Sequence, residues 1–166
     1  MRSTPVTANG HQLTRLRFVN CYLVHETDGF TLIDANLSGS ADDILAAARA
    51  LGAPIRRILL THAHVDHVGS VDALLARLGP EIEFTSNART LPLLQKPPDK
   101  SLLPGESNEP IRGSLPGIDA RPTRLLTEGE RYGSLLCIET PGHIPGHLAF
   151  LDERDGTLYG VTLSPA

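Results

Sequence analysis

The stretch LLTHAHVDHVGS, residues 59–70, puts His62, His64 and His67 together with Asp66 inside six positions, directly after a run of branched aliphatic residues. Just past a strand end, a turn can fold alternating side chains around one point. Neutral imidazole and carboxylate are borderline ligands that suit zinc, whereas a structural zinc site would more often recruit cysteine. The pattern therefore fits a catalytic ion. Such a site needs a distant ligand to complete three protein groups and leave a position open for water. A second polar knot, ETPGHIPGH at 139–147, supplies His143 and His147 about eighty positions further on.

The rest of the chain is compatible with small-molecule chemistry. Its 166 residues suit one domain, a size that buries roughly 70% of the unfolded surface without staples. Cys21 and Cys137 lie far apart in apolar stretches and read as reduced core residues. A formal charge of -4, with both signs mixed throughout, provides no basic stripe for a nucleic acid and no polybasic patch for a membrane. The opening MRSTPVTANG has no apolar signal core, and no run approaches a membrane span, so the expectation is a cytoplasmic protein.

Periodicity divides the chain. LTRLRF, CYLVHE and FTLID read as an antiparallel meander from Leu13, with Asp28-Gly29 as a turn. SADDILAAARALG predicts a helix with Ser40 as N-cap, Asp42 and Asp43 in the first turn and Gly52 as its stop. IRRILLT predicts a buried strand that delivers His62 to its end; SVDALLARLG predicts a second helix from Ser70 to Gly79, and IEFTS another strand. The alternation implies a sheet layered against helices. Residues 92–122, with seven prolines, predict a long loop, either a lid or a disordered segment. Beyond it, TRLLTEGERYGSLLCIETPG predicts two strands around Glu128-Gly129, and HLAFLDERDGTLYGVTL a hairpin around Asp155-Gly156.

With both knots in view, the chain resembles the metallo-β-lactamase-fold hydrolases, in the lactonase-like and glyoxalase II-like branch. THAHVDHVGS matches the family's His-x-His-x-Asp-His loop and TPGHIPGH its second motif, and the likeness runs from FVNCYLV and GFTLIDANL to the hairpin near Leu163. The resemblance implies an α/β (α+β) fold of αβ/βα four-layer sandwich type over residues 1–166. It implies a first metal site of His62, His64 and His143, and a second metal held by Asp66 and His67. Two ions about 3.5 to 4 Å apart can share a hydroxide and polarise an ester or thioester carbonyl, with Asp66 accepting or orienting the nucleophile's proton. Zinc is the expected ion; iron and manganese suit the same ligands. For His147 two readings stand, a hydrogen-bond partner behind the ligands or a cap on the following strand.

The chain also departs from the pattern. Family members carry a Gly-Asp pair after the last hairpin strand, whose aspartate bridges the metals; Val161 and Thr162 stand there instead, and a neutral hydroxyl cannot bridge two cations. The sequence ends before the family's last helices, so the second helical layer is expected to be incomplete. Its strands LLCIE, LAFL and TLYGVTL are apolar on both faces, which predicts a homo-oligomer covering the exposed second sheet. The resulting expectation is a metal-dependent hydrolase of an ester-like bond in a small molecule. The alternative is a catalytically inactive relic or binding module that retains one metal site.

Overall fold

A computed structural model describes residues 1–106 and 109–160. Seven strands form the first sheet in chain order: β1 (Arg2–Pro5), β2 (Gly10–Arg15), β3 (Val19–Glu26), β4 (Gly29–Ile33), β5 (Ile55–Leu59), β6 (Glu83–Ser86) and β7 (Arg124–Leu125). The first four pair antiparallel and β4 to β7 pair parallel. The crossovers run through α1 (Ala41–Ala50), then α2 (Val65–Val68) and α3 (Val71–Leu78), and then a 3-10 helix at Ala88–Leu94. The second sheet is antiparallel, ordered β11 (Thr157–Tyr159), β10 (Leu148–Asp152), β9 (Leu135–Glu139) and β8 (Arg131–Tyr132).

Two-residue alternation sorts the apolar side chains into two cores. Leu23, Leu32 and Ile58 face the helices, where Ile44, Ala48, Val71 and Leu74 cover them. Their neighbours Val24, Ile33 and Leu59 face the second sheet and pack on Leu135, Cys137, Leu148 and Phe150. Cys21 and Cys137 are buried free thiols, one in each core. Every buried apolar residue of the helices belongs to the first core. On the outer face of the second sheet Leu136, Ile138 and Leu151 are half-buried and Leu158 is exposed. The described layers are thus helices, sheet and sheet. None of the described helices is long and apolar enough to cross a membrane.

Three local expectations change. The two strands placed around Glu128-Gly129 resolve differently: β7 joins the first sheet beside β6, and the hairpin is β8–β9, turning at Gly133-Ser134 with Gly133 at φ +62. The Glu128-Gly129 turn is where the chain passes from one sheet to the other. Ser40 occupies the N-cap position of α1 but its side chain makes no cap. Its hydroxyl instead accepts from Arg15 Nη1 at 2.6 Å, while its N–H donates to Ser70 Oγ at 2.9 Å. Tertiary partners thereby tie α1, α3 and the β2–β3 hairpin together at one point. Finally, β1 adds an edge strand that the meander reading lacked, ending in Pro5, where a missing donor is tolerated.

Residues 95–122 contain no α-helix or strand among the described residues, yet the segment is packed as a strap. Leu115 and Ile118 are buried in the first core. The Asp72 carboxylate, in the first turn of α3, accepts from the N–H groups of Asp119 and Ala120.

Candidate metal centre

The carboxyl ends of parallel strands β4 and β5 and the loop between β9 and β10 converge at one edge of the sandwich. Strand β5 leads through Leu60 and Thr61 to His62; His64 caps α2 in an extended conformation, and α2 carries Asp66 and His67. The second loop brings His143 and His147 against them. Leu148 N–H donates to the Thr61 carbonyl at 2.8 Å, which stitches the two sheets where the site lies.

His62, His64 and His143 form a near-equilateral triangle, with ring centroids 4.8, 4.9 and 5.0 Å apart. One nitrogen from each lies within 4.8 Å of the others. Proton positions follow from the partners. Asp34, buried, accepts from the Thr61 hydroxyl at 2.8 Å and from Thr61 N–H at 2.8 Å. Having spent its proton on a carboxylate, that hydroxyl must accept from His62 Nδ1, 2.9 Å away. His62 Nε2 therefore holds a lone pair, and it is buried without a hydrogen-bond partner. Likewise His64 Nε2 sits 2.9 Å from the Arg112 carbonyl and carries hydrogen, leaving the lone pair on Nδ1, which is 3.1 Å from His143 Nε2. Burial, followed by the charge of neighbouring histidines, pushes the pKa of His62 far down, and His143 is lowered from the same causes. Three imidazoles converging on a point, with a lone pair on His62 Nε2 that is a buried orphan, fit a divalent metal ion.

Asp66 and His67 are adjacent to this triangle and paired with each other. His67 Nε2 lies 3.5 Å from Asp66, and its Nδ1 is 2.6 Å from Asp34. Burial disfavours the His67 cation, but Asp34 and then Asp66 outweigh it and lift its pKa to about 10. Hydrogen bonding from His67 holds the half-exposed Asp66 carboxyl below its usual range. Both His67 nitrogens thus face carboxylates. Val161 and Thr162, the departure from the family's Gly-Asp pair, lie outside the described residues.

His147 makes a 2.6 Å contact from Nδ1 to Thr140 Oγ1, which with Thr140 N–H to His147 O at 2.9 Å closes the 140–147 loop. Burial lowers its pKa to about 4. It borders a cavity of about 610 Å³, also lined by Asn87, Arg89, Glu106, Leu126 and Pro145. Arg89 and Glu106 neutralise each other there in a two-point ion pair.

Asp34, Thr61 and Asn87 escaped the sequence reading. Asn87 Nδ2 donates to the Gly146 carbonyl at 3.0 Å while its Oδ1 accepts from Thr90 N–H at 2.9 Å, so it moors the second histidine loop to the first sheet. The available signal was the lone acid closing the apolar run FTLID, at the end of β4 just as His62 stands past the end of β5.

Comparison with known proteins agrees with this geometry. A family model described as the metallo-beta-lactamase superfamily matches residues 14–160, and the chain belongs to that superfamily. Two curated relatives are similar to most of the chain. YobT, an uncharacterized protein of Bacillus subtilis strain 168, is 52% identical over 141 residues, covering 84% of this chain and 59% of its own length. A hydroxyacylglutathione hydrolase of Rhodospirillum rubrum is 33% identical over 168 residues, covering 96% of this chain and 54% of its own. The chain thus spans less than two thirds of the length of either. Among solved structures, TTHA1623 in a di-iron-bound form superposes with a TM-score of 0.66 at 32% identity, over 89% of this chain and 68% of that one.

Proposed function

We propose that the chain is a metal-dependent hydrolase acting on an ester-like bond of a small molecule, a thioester or lactone. The observation that carries this reading is the triangle of His62, His64 and His143, with its orphaned buried nitrogen. Zinc is the ion we favour for a set of three imidazoles; the di-iron neighbour keeps iron a candidate. A bound divalent ion supplies Lewis acidity for activating water and a carbonyl group. The chain's own residues do the rest. Asp34, acting through Thr61, keeps His62 in the ligating tautomer. Asp66, held ionised by His67, is the carboxylate placed to take the proton of an attacking water. The cavity beside His147 takes the acyl portion of the substrate; Arg89 and Glu106 pair with each other at its wall while Glu139 adds an acidic group, which disfavours an anionic acyl portion. The Rhodospirillum relative, a hydrolase of hydroxyacylglutathione by name, supports the thioester within this class.

The experiment is metal per chain by mass spectrometry on protein purified without chelator, with His62→Ala as control, followed by turnover on lactones, thioesters and phosphodiesters. Metal lost in the control, with turnover above that of free ion, is the expected result. A metal-loaded protein silent on the whole panel supports the second reading, a binding module, which Thr162 and the Asp66–His67 pairing favour. Thr162→Asp separates the two, because it raises the rate only where a hydrolytic site is present.

A further inference from the structure

Three observations meet at His64. Its Nδ1 belongs to the triangle, and its Nε2 is held by the carbonyl of Arg112, 48 residues away. A methyl group added at Gly113 would lie 2.4 Å from that same Nε2, so only glycine allows the backbone to approach so closely. The strap is pinned directly after this contact: Val65 N–H donates to the Ser114 carbonyl at 3.0 Å, and Leu115 and Ile118 are buried.

A carbonyl oxygen can only accept, so the Arg112 contact demands a proton on His64 Nε2 and leaves the lone pair on Nδ1. The strap thus selects the tautomer that can ligate. An ion at Nδ1 withdraws charge from the ring and makes Nε2–H a better donor, so each contact strengthens the other, and the coupling is reciprocal. We propose that Arg112–Gly113–Ser114 form a metal-coupled clasp: seated on His64 it prepares the first metal site, and metal in turn holds this part of the strap in place. The proposal rests on the metal-site reading above and requires no catalytic activity.

Two measurements on the full chain test it. The first is zinc affinity by competition with a chromophoric chelator for wild type, Gly113→Ala and Gly105→Ala. Gly105 shares the left-handed backbone, φ +90 against +83, but a methyl group there meets nothing within 4 Å. It therefore reproduces the strain without the collision. Gly113→Ala is expected to weaken zinc binding about 10- to 100-fold, the usual scale for losing a partner behind a metal ligand, and Gly105→Ala to leave it unchanged. The second is trypsin cleavage of wild type after Arg112, whose side chain is exposed, relative to cleavage after exposed Arg17. Zinc is expected to slow the first cut and spare the second. Equal loss in both glycine variants, no loss in Gly113→Ala, or equal protection of both arginines overturns the clasp. Wild type that binds no zinc overturns the metal-site reading and the clasp with it. Zinc binding with intact coupling but no turnover overturns only the hydrolase.

Discussion

Removing the Asp34 carboxylate tests whether one buried acid organises the ligands. Asp34→Ala strips the acceptor from three donors; the Thr61 hydroxyl can turn to His62 Nδ1, but Thr61 N–H and His67 Nδ1–H are left without one, each costing about 1–3 kcal/mol when unpaired. It also puts alanine at φ +63, where a residue with Cβ loses about 1–2 kcal/mol unless, like Asn or Asp, it is locally hydrogen-bonded. Together these amount to about 5 kcal/mol, a large share of the 5–15 kcal/mol that holds a typical domain. Asp34→Asn keeps the tolerated backbone and an oxygen for Thr61 N–H and loses the charged acceptor for His67, a cost of about 2 kcal/mol. Urea unfolding of the metal-free protein in chelator, followed by circular dichroism, reads both. The order expected is wild type, Asn, Ala, separated by roughly these amounts. An alanine variant within 1 kcal/mol of wild type on this scale would refute the reasoning, since the Thr61 and His67 bonds would then be incidental.

Asn87→Ala removes the mooring of the 140–147 loop; with bonds to Gly146 and Thr90 lost, unfolding in urea should shift by about 2 kcal/mol. Asn87→Asp, which keeps the Thr90 acceptor, should lose about half of that. The Arg89–Glu106 pair carries a pH signature. Hydrogen bonding from Arg89 lowers the Glu106 pKa below its reference 4.5, so its contribution is present above that value and lost as pH falls through the lower folded value. The melting-temperature gap between wild type and Glu106→Gln should accordingly close on acidification from about pH 6 to pH 3. Leu16 is exposed at φ +53; Leu16→Asn should relieve up to about 1 kcal/mol and raise the melting temperature by about 2–4 °C, a shift readable by calorimetry.

What was legible in the chain is what side-chain type and short period encode. The alternation of Leu32 and Ile33, or Ile58 and Leu59, between two cores follows from the period-2 pattern alone, and the two histidine knots declare themselves by composition. Strands β7 and β8, two residues each, carry too little pattern to show their partners: β7 pairs with β6 instead of across Glu128-Gly129, and the Gly133 turn divides β8 from β9. Ser40 had the right residue type for a cap, but Arg15 and Ser70 compete for its hydroxyl and amide and win.

The site divides along the same line. Ligand identity lies in imidazoles that any reader of the chain can count, whereas ligand readiness lies in which nitrogen keeps its proton. That is decided for His62 by a carboxylate acting through a threonine, and for His64 by a backbone carbonyl that every residue possesses. No pattern of residue types marks the Arg112 carbonyl as different from its neighbours; only the φ of Gly113 and the lack of room for a Cβ do. A glycine in a proline-rich segment reads as a loop residue until the fold brings it against a metal ligand. Its replacement should therefore affect metal affinity more than global stability.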